Sequence, residues 1–144
     1  MEFPVQDALA ELVPVLPATP GWWYEIKLDG HRTVMWRTAD GVRLQARSGR
    51  DVTANWMDIA LPGMELPPGV VLDGEAVVVV DERISFEAAQ SRAASAPARA
   101  RQLAEKHPAL YVTGVPTGSW LVITGGTRPS QQVGDPCSRR PSRV

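Results

Sequence analysis

The 144-residue sequence is short of several things. It has one cysteine, Cys137, which excludes an internal disulfide framework and a cysteine-built zinc site. It has two lysines, Lys27 and Lys106, against a much larger set of arginines. Its net charge is −1, so it is not a uniformly basic nucleic-acid binder. A nucleic acid would have to be held by a local site or by another domain. No apolar run approaches the roughly 18–20 residues that a membrane span needs. The opening "MEFPVQDALAELVP" lacks both a basic leader and a long apolar stretch, so no secretory signal and no membrane association are expected. A cytoplasmic location is the expectation that remains. What is present is 44% hydrophobic and 22% charged, enough for one folded domain with a core.

Residues 1–20 read as a Pro-rich lead-in with a short helix near Gln6–Val13. Trp23–Leu28 alternates, with Tyr24, Ile26 and Leu28 on one face and Glu25, Lys27 and Asp29 on the other, which predicts a half-buried strand. Thr33–Trp36 continues as strand after Asp29–Gly30. "TADG" is a turn into a strand at Val42–Arg47. Thr53 is placed to cap a short helix carrying Trp56 and Ile59. "LPGMELPPG" breaks regular structure. Val70–Asp81 is the strongest strand, with Val77–Val80 expected to be covered on both faces. Ser85 caps a helix, Pro97 interrupts, a second short helix follows, and Ala109–Val112 is a further strand. After Thr113 the composition turns to Gly, Pro, Ser, Thr and Arg, with one strand expected at Trp120–Thr124. The remainder of that tail is expected to be poorly ordered. The fold class is α+β: a twisted, largely antiparallel sheet with short helices.

The chemistry centres on "WWYEIKLDGHR". Lys27 between Glu25 and Asp29 has two readings. One is a solvated strand face with ordinary exposed ion pairs, each stabilising by about 0–1 kcal/mol. The other is a functional amine, either a point charge for phosphate or a covalent nucleophile. A second acidic site bears on the choice. Asp73-Gly74-Glu75 interrupts a Val/Leu strand, and its two acids share a face because strand side chains repeat every second residue. The Gly leaves the opposite face open to close approach. Arg32 and Arg47 add forked donors suited to phosphate oxygens, and a carboxylate accepts from ribose hydroxyls. Together the set suits a nucleotide.

"KLDGHR", Lys27–Arg32, resembles the Lys-x-Asp-Gly-x-Arg motif of covalent nucleotidyltransferases, which include ATP-dependent DNA ligases, RNA ligases and mRNA capping enzymes. "YEIKLDGHR", "LQARSGRDVT" and "VVLDGEAVV" follow the order and approximate spacing of ATP-dependent DNA ligases, and "ISFEAAQSR" and "LAEKHPALYV" look like the small actinobacterial kind. The resemblance implies the N-terminal part of a ligase adenylation domain, of ATP-grasp-like fold, over residues 21–113. It implies that Lys27 attacks the α-phosphate of ATP and holds AMP. It implies that Glu25 sits at the adenine end, that Arg32 and Arg47 contact ribose and phosphates, and that Glu75 binds ribose hydroxyls. Asp29, Gly30 and Asp73 shape and support the site. Mg²⁺ would assist near Glu75. The partner would be nicked double-stranded DNA, sealed in repair, recombination or replication by a monomer.

The sequence departs from that pattern after Val112. Tyr111-Val112-Thr113 is followed by Gly114-Val115-Pro116 where the family continues with a Phe-Asp pair, and the later Glu-Gly motif and lysine pair are missing. An OB-type domain is expected to be absent as well. A truncated chain, with a frameshift near residue 113 and a divergent tail over 114–144, is the expectation. Impaired activity follows from it. The competing readings are an RNA ligase or capping-type enzyme, and a non-catalytic nucleotide-binding remnant.

Overall fold

The computed structural model describes residues 2–6, 12–21, 27–114, 120–124 and 132–133. The strands are β1 (His31–Arg37), β2 (Val42–Ala46), β3 (Val71–Val80), β4 (Arg83–Ile84), β5 (Ala109–Gly114), β6 (Trp120–Thr124) and β7 (Gln132–Val133). The helices are α1 (Met57–Gly63), α2 (Phe86–Ala94) and α3 (Pro97–Lys106), with a 3-10 turn at Thr53–Asn55 before α1. The strands form one sheet in the order β2-β1-β3-β5-β6-β7, with β4 folded back on β3. Every pairing is antiparallel. The α+β architecture expected from the pattern is therefore the observed one. No helix among the described residues is long and apolar enough to cross a membrane.

Alternation along the strands divides the sheet into two faces. Met35, Leu44, Ala46, Ala76, Val78, Tyr111 and Ile123 pack with Trp56, Ile59, Ala89 and Ala93 in the core beneath the helices. The other face carries Arg32, Val34 and Trp36 of β1 and Asp73, Glu75 and Val77 of β3. It has no helix on it among the described residues. Part of it is covered by the N-terminal segment. Phe3 meets Trp36 edge to face at 5.8 Å, and the buried Gln45 amide exchanges two hydrogen bonds with the backbone of Val5, at 3.0 and 2.7 Å.

Several expectations change in detail. Lys27–Asp29 lies outside any strand, and β1 begins at His31. Between them, Gly30 packs closely on β3: a Cβ there would stand 2.7 Å from the Ala76 carbonyl oxygen. Thr53 does not cap an α-helix. It opens the 3-10 turn, its backbone N–H donates to Asp51, and its hydroxyl accepts from the Leu44 N–H. The helix α1 runs through Pro62, within the stretch expected to break. Pro62 lacks the N–H that would bond the carbonyl four residues back, and the helix ends one residue later, with Ile59, Ala60 and Gly63 buried. Double-sided burial covers Ala76–Val78 but not Val79, which is 36% exposed. Ser85 does cap α2, accepting from the Ala88 N–H at 3.2 Å, and Pro97 opens α3. The expected helix at Gln6–Val13, the strand residues Trp23–Ile26 and most of 114–144 fall outside the described residues. The strand expected at Trp120–Thr124 is β6.

Candidate active site

The open face gathers charge where β1 meets β3. In the register of these strands Arg32 lies opposite Glu75, and Val34 opposite Asp73. Arg32 reaches diagonally and grips Asp73 with its fork, Nε to Oδ1 at 3.2 Å and a terminal amine to Oδ2 at 2.6 Å. Planar guanidinium and carboxylate match in this geometry, which is why arginine serves where lysine would not. Asp73 thereby holds the Arg32 side chain in place across the strand pair. Lys27 approaches from the loop before β1 and pairs with Asp29. Both of these side chains are exposed.

Gly74, between the two acids, works on the opposite face. A Cβ at Gly74 would stand 2.5 Å from the Val112 carbonyl oxygen and 2.9 Å from the Tyr111 ring. The missing side chain lets Tyr111 pass beneath β3. Its hydroxyl reaches the Thr33 carbonyl at 2.9 Å and the Leu72 carbonyl at 2.7 Å. One buried phenol thus ties β1, β3 and β5 together directly under the charged cluster. Burial pushes its pKa well above the usual range. Thr113 adds a 2.5 Å hydrogen bond to the Asp73 carbonyl.

The electrostatics follow from this layout. The Lys27 pKa is raised, first by its hydrogen bond to Asp29, then by the Asp29 charge, with Glu75 adding to it. The resting amine is therefore a paired cation. Glu75 is pushed up to about 7, chiefly by burial, with Asp73 and Asp29 adding and Arg32 and Lys27 opposing. A half-buried carboxyl poised near neutrality, beside a lysine and an arginine, can hold or release a proton at working pH.

Of the residues singled out in the sequence, Lys27, Asp29, Arg32, Asp73 and Glu75 come together at this corner, and Gly30 brings Lys27 to it. Arg47 stands just past β2, exposed and making no hydrogen bond or ion pair among the described residues. Glu25 lies outside the described residues. No group of three or more His, Cys, Asp or Glu side chains is arranged to hold a metal among the described residues. That leaves room for Mg²⁺, which typically takes one or two carboxylates together with substrate phosphates. Glu75, held without a direct ion-pair contact, fits that limited part.

Sequence reasoning missed the support behind the motif. His31 stacks on the buried Trp56 at 5.8 Å, and the Arg92 guanidinium lies over the same indole at 4.5 Å. Burial, then the charge of Arg50, lowers the His31 pKa and favours the neutral ring. The visible signal was an aromatic ring in the fifth position of "KLDGHR"; its partner Trp56 could not be identified without the fold.

Comparison with known proteins adds the context. Residues 6–113 match the family model of the ATP-dependent DNA ligase domain. The chain is 37% identical over 110 residues to DNA ligase C of Mycobacterium tuberculosis, an alignment covering 76% of this chain and 30% of that protein. It is 45% identical over 91 residues to the multifunctional non-homologous end joining protein LigD of Pseudomonas aeruginosa, covering 60% of this chain and 10% of that protein. A solved structure of mycobacterial DNA ligase D complexed with ATP and MES aligns at TM-score 0.45 and 32% identity, covering 62% of this chain and 27% of that one. The chain spans about a third or less of the length of the relatives it matches.

Proposed function

The chain belongs to the ATP-dependent DNA ligase domain family, and from that membership we propose that it carries the nucleotide-charging site of a DNA ligase, with Lys27 as the nucleophile. The observation that carries this reading is the corner where Lys27, Arg32, Asp73 and Glu75 meet on an open sheet face.

In the proposed reaction the Lys27 amine, once neutral, attacks the α-phosphorus of ATP. An N–P bond forms, the bond to pyrophosphate breaks, and AMP stays on Nζ. In a complete ligase the 5′-phosphate of nicked DNA takes the AMP, the N–P bond breaks and the amine recovers a proton. The 3′-hydroxyl then attacks the 5′-phosphorus and AMP leaves. Lys27 cannot attack while it is protonated and paired with Asp29, so nucleotide binding has to break that pair. Glu75, near neutrality, is suited to take the proton or to accept from ribose hydroxyls. Arg32, steadied by Asp73, would contact phosphate or ribose. Arg47 is free to turn toward phosphates. Glu25 belongs to the adenine end in this reading. Mg²⁺, when bound beside Glu75, would neutralise phosphate charge. Asp29, Gly30 and Asp73 act by placing the other groups.

The relatives named above are DNA ligases, which supports DNA over RNA as the substrate of a complete enzyme, and repair as its setting. A monomeric, cytoplasmic protein is part of the same proposal. The test is direct. The protein is incubated with ATP and Mg²⁺ and its intact mass is taken. A gain of one adenylate that is absent in Lys27→Ala supports the nucleophile. A folded protein with no adduct leaves a nucleotide-binding remnant.

A further inference from the structure

The charged corner has a support on the other side of its strand. His31 and Arg32 are neighbours on β1, so their side chains leave the sheet on opposite faces. Arg32 goes to Asp73 on the open face. His31 goes to the helix side, where its ring stacks on the fully buried Trp56, with centroids 5.8 Å apart and planes at 29°. The Thr33 hydroxyl meets the same residue twice. It donates to the His31 carbonyl at 2.8 Å and stands 3.2 Å from Nδ1. A hydroxyl has one proton to give, and this one goes to the carbonyl, so the Thr33 oxygen accepts from Nδ1–H. The neutral ring therefore carries its proton on Nδ1, and Nε2 is the nitrogen that takes a second one.

We propose that His31 is a positioning residue for the corner: its neutral ring, held between Trp56 and the Thr33 hydroxyl, fixes the start of β1, and a second proton on Nε2 releases it. The lever is short. Gly30, on one side of His31, packs against the Ala76 carbonyl, and Arg32, on the other, grips Asp73. Moving His31 off Trp56 moves both, and Lys27 lies in the same stretch, three residues before Gly30. The surroundings resist the second proton. Burial and the Arg50 cation, from the loop after β2, favour the neutral ring. Arg92 of α2 lies over the same indole at 4.5 Å, and its charge is answered by Asp58 of α1. β3 sets uncharged Ala76 opposite His31, and β5 sets Tyr111 beyond it, a phenol that burial keeps neutral. Trp56 would attract an imidazolium, but that indole already serves Arg92. That the corner charges a nucleotide rests on the reading given above; that His31 holds the corner does not.

The test is a pH titration of the full chain by NMR. The chain has two histidines, so His107 is the internal control. The His31 midpoint should lie below 6.5, and above it the ring nitrogens should report the Nδ1–H tautomer. The readout of the corner is the order parameter of the Arg32 side-chain Nε. It should be near the rigid value of about 0.85 above the His31 midpoint and fall below about 0.6 beneath it. Glu75 titrates in the neighbouring range, so two variants separate the causes. His31→Phe keeps a ring for Trp56 and cannot take a proton, so Arg32 should stay ordered through the whole range. His31→Ala should leave Arg32 mobile at every pH. Should His31→Ala unfold, wild type and His31→Phe decide alone. An Arg32 that ignores the His31 midpoint overturns the proposal, as does a loss of order that persists in His31→Phe. The opposite tautomer removes the Thr33 clamp and overturns it too. None of these measurements needs a nucleotide, so a protein that passes them all and never takes an adenylate breaks the functional reading alone.

Discussion

The molecule builds two arginine–aspartate pairs to opposite ends. On the helix side Arg92 and Asp58 are buried, with side-chain exposures of 2% and 17%. Asp58 also accepts from the Ala109 N–H at 2.8 Å, and Arg92 lies over Trp56, so the pair joins α1, α2 and β5. On the open face Arg32 and Asp73 are 33% and 52% exposed, and the neighbouring Lys27–Asp29 pair is more exposed still. The same two functional groups therefore serve as internal scaffold in one place and as an accessible charged surface in the other. Burial decides which, because removing water raises both the attraction and the cost of losing a partner.

Removing one partner from each pair separates the two regimes most widely. Asp58→Ala should destabilise the fold by about 3–5 kcal/mol, because it strands a buried guanidinium and a strand N–H. Asp73→Ala should cost only about 0–1 kcal/mol, as exposed pairs do. Urea denaturation of both variants gives the comparison, and equal costs would refute it. Gly74→Ala, where the two regions touch, should fall between them. Its methyl group has to displace the Val112 carbonyl or the Tyr111 ring, which should cost about 1–3 kcal/mol by the same measurement.

The open face was more legible in the sequence than the helix side. A Val-rich run located β3 to within a residue at each end, and period two put Asp73 and Glu75 on one face. The Gly between them was readable as a point of close approach, because nothing else explains a Gly in that apolar run. What alternation could not supply was register. Arg32 meets Asp73 across 41 positions, and only the β1–β3 pairing brings them together. Alternation also misled at Lys27: the pattern of a strand is present, but Lys27–Asp29 lies outside any strand and β1 begins at His31. Trp56 was readable only as part of a short helix, and Asp58 and Arg92 carried no local signal. An acid and an arginine on short amphipathic helices look like solvated side chains until the helices are folded against each other.

The electrostatics of the open face sharpen the contrast through pH. Burial pushes the Glu75 pKa up from 4.5 to about 7 on folding. Between those values the folded state holds the extra proton, so the contribution is fully present below pH 4.5 and is lost as pH rises through 7. Stability should therefore fall by about 1–2 kcal/mol between pH 5 and 8, after discounting the shift for a half-buried group. Glu75→Gln should flatten that part of the profile. A wild-type profile already flat over this range would mean that Glu75 is ionised throughout.

Asp29→Asn is expected to have the smallest effect on stability and the most specific effect on the site. Both partners of the Lys27–Asp29 pair are exposed, so urea midpoints should not move measurably. The Lys27 pKa should fall toward its ordinary value, because its hydrogen bond to Asp29 is the largest cause of the rise and the Asp29 charge is the next. Two lysines in the chain make this easy to follow: the ε-methylene carbons of Lys27 and Lys106 give two NMR titrations, and Lys106 serves as the internal control. If Lys27 is the adenylation nucleophile, the midpoint of the kcat/KM profile for adenylation, which reports the nucleotide-free protein, should shift downward by the same amount as the NMR midpoint, while the profile at saturating ATP should stay where it is. A shifted NMR midpoint with an unmoved kcat/KM profile would count against Lys27 as the nucleophile. An unmoved midpoint would show that Asp29 is not what holds the proton on Lys27.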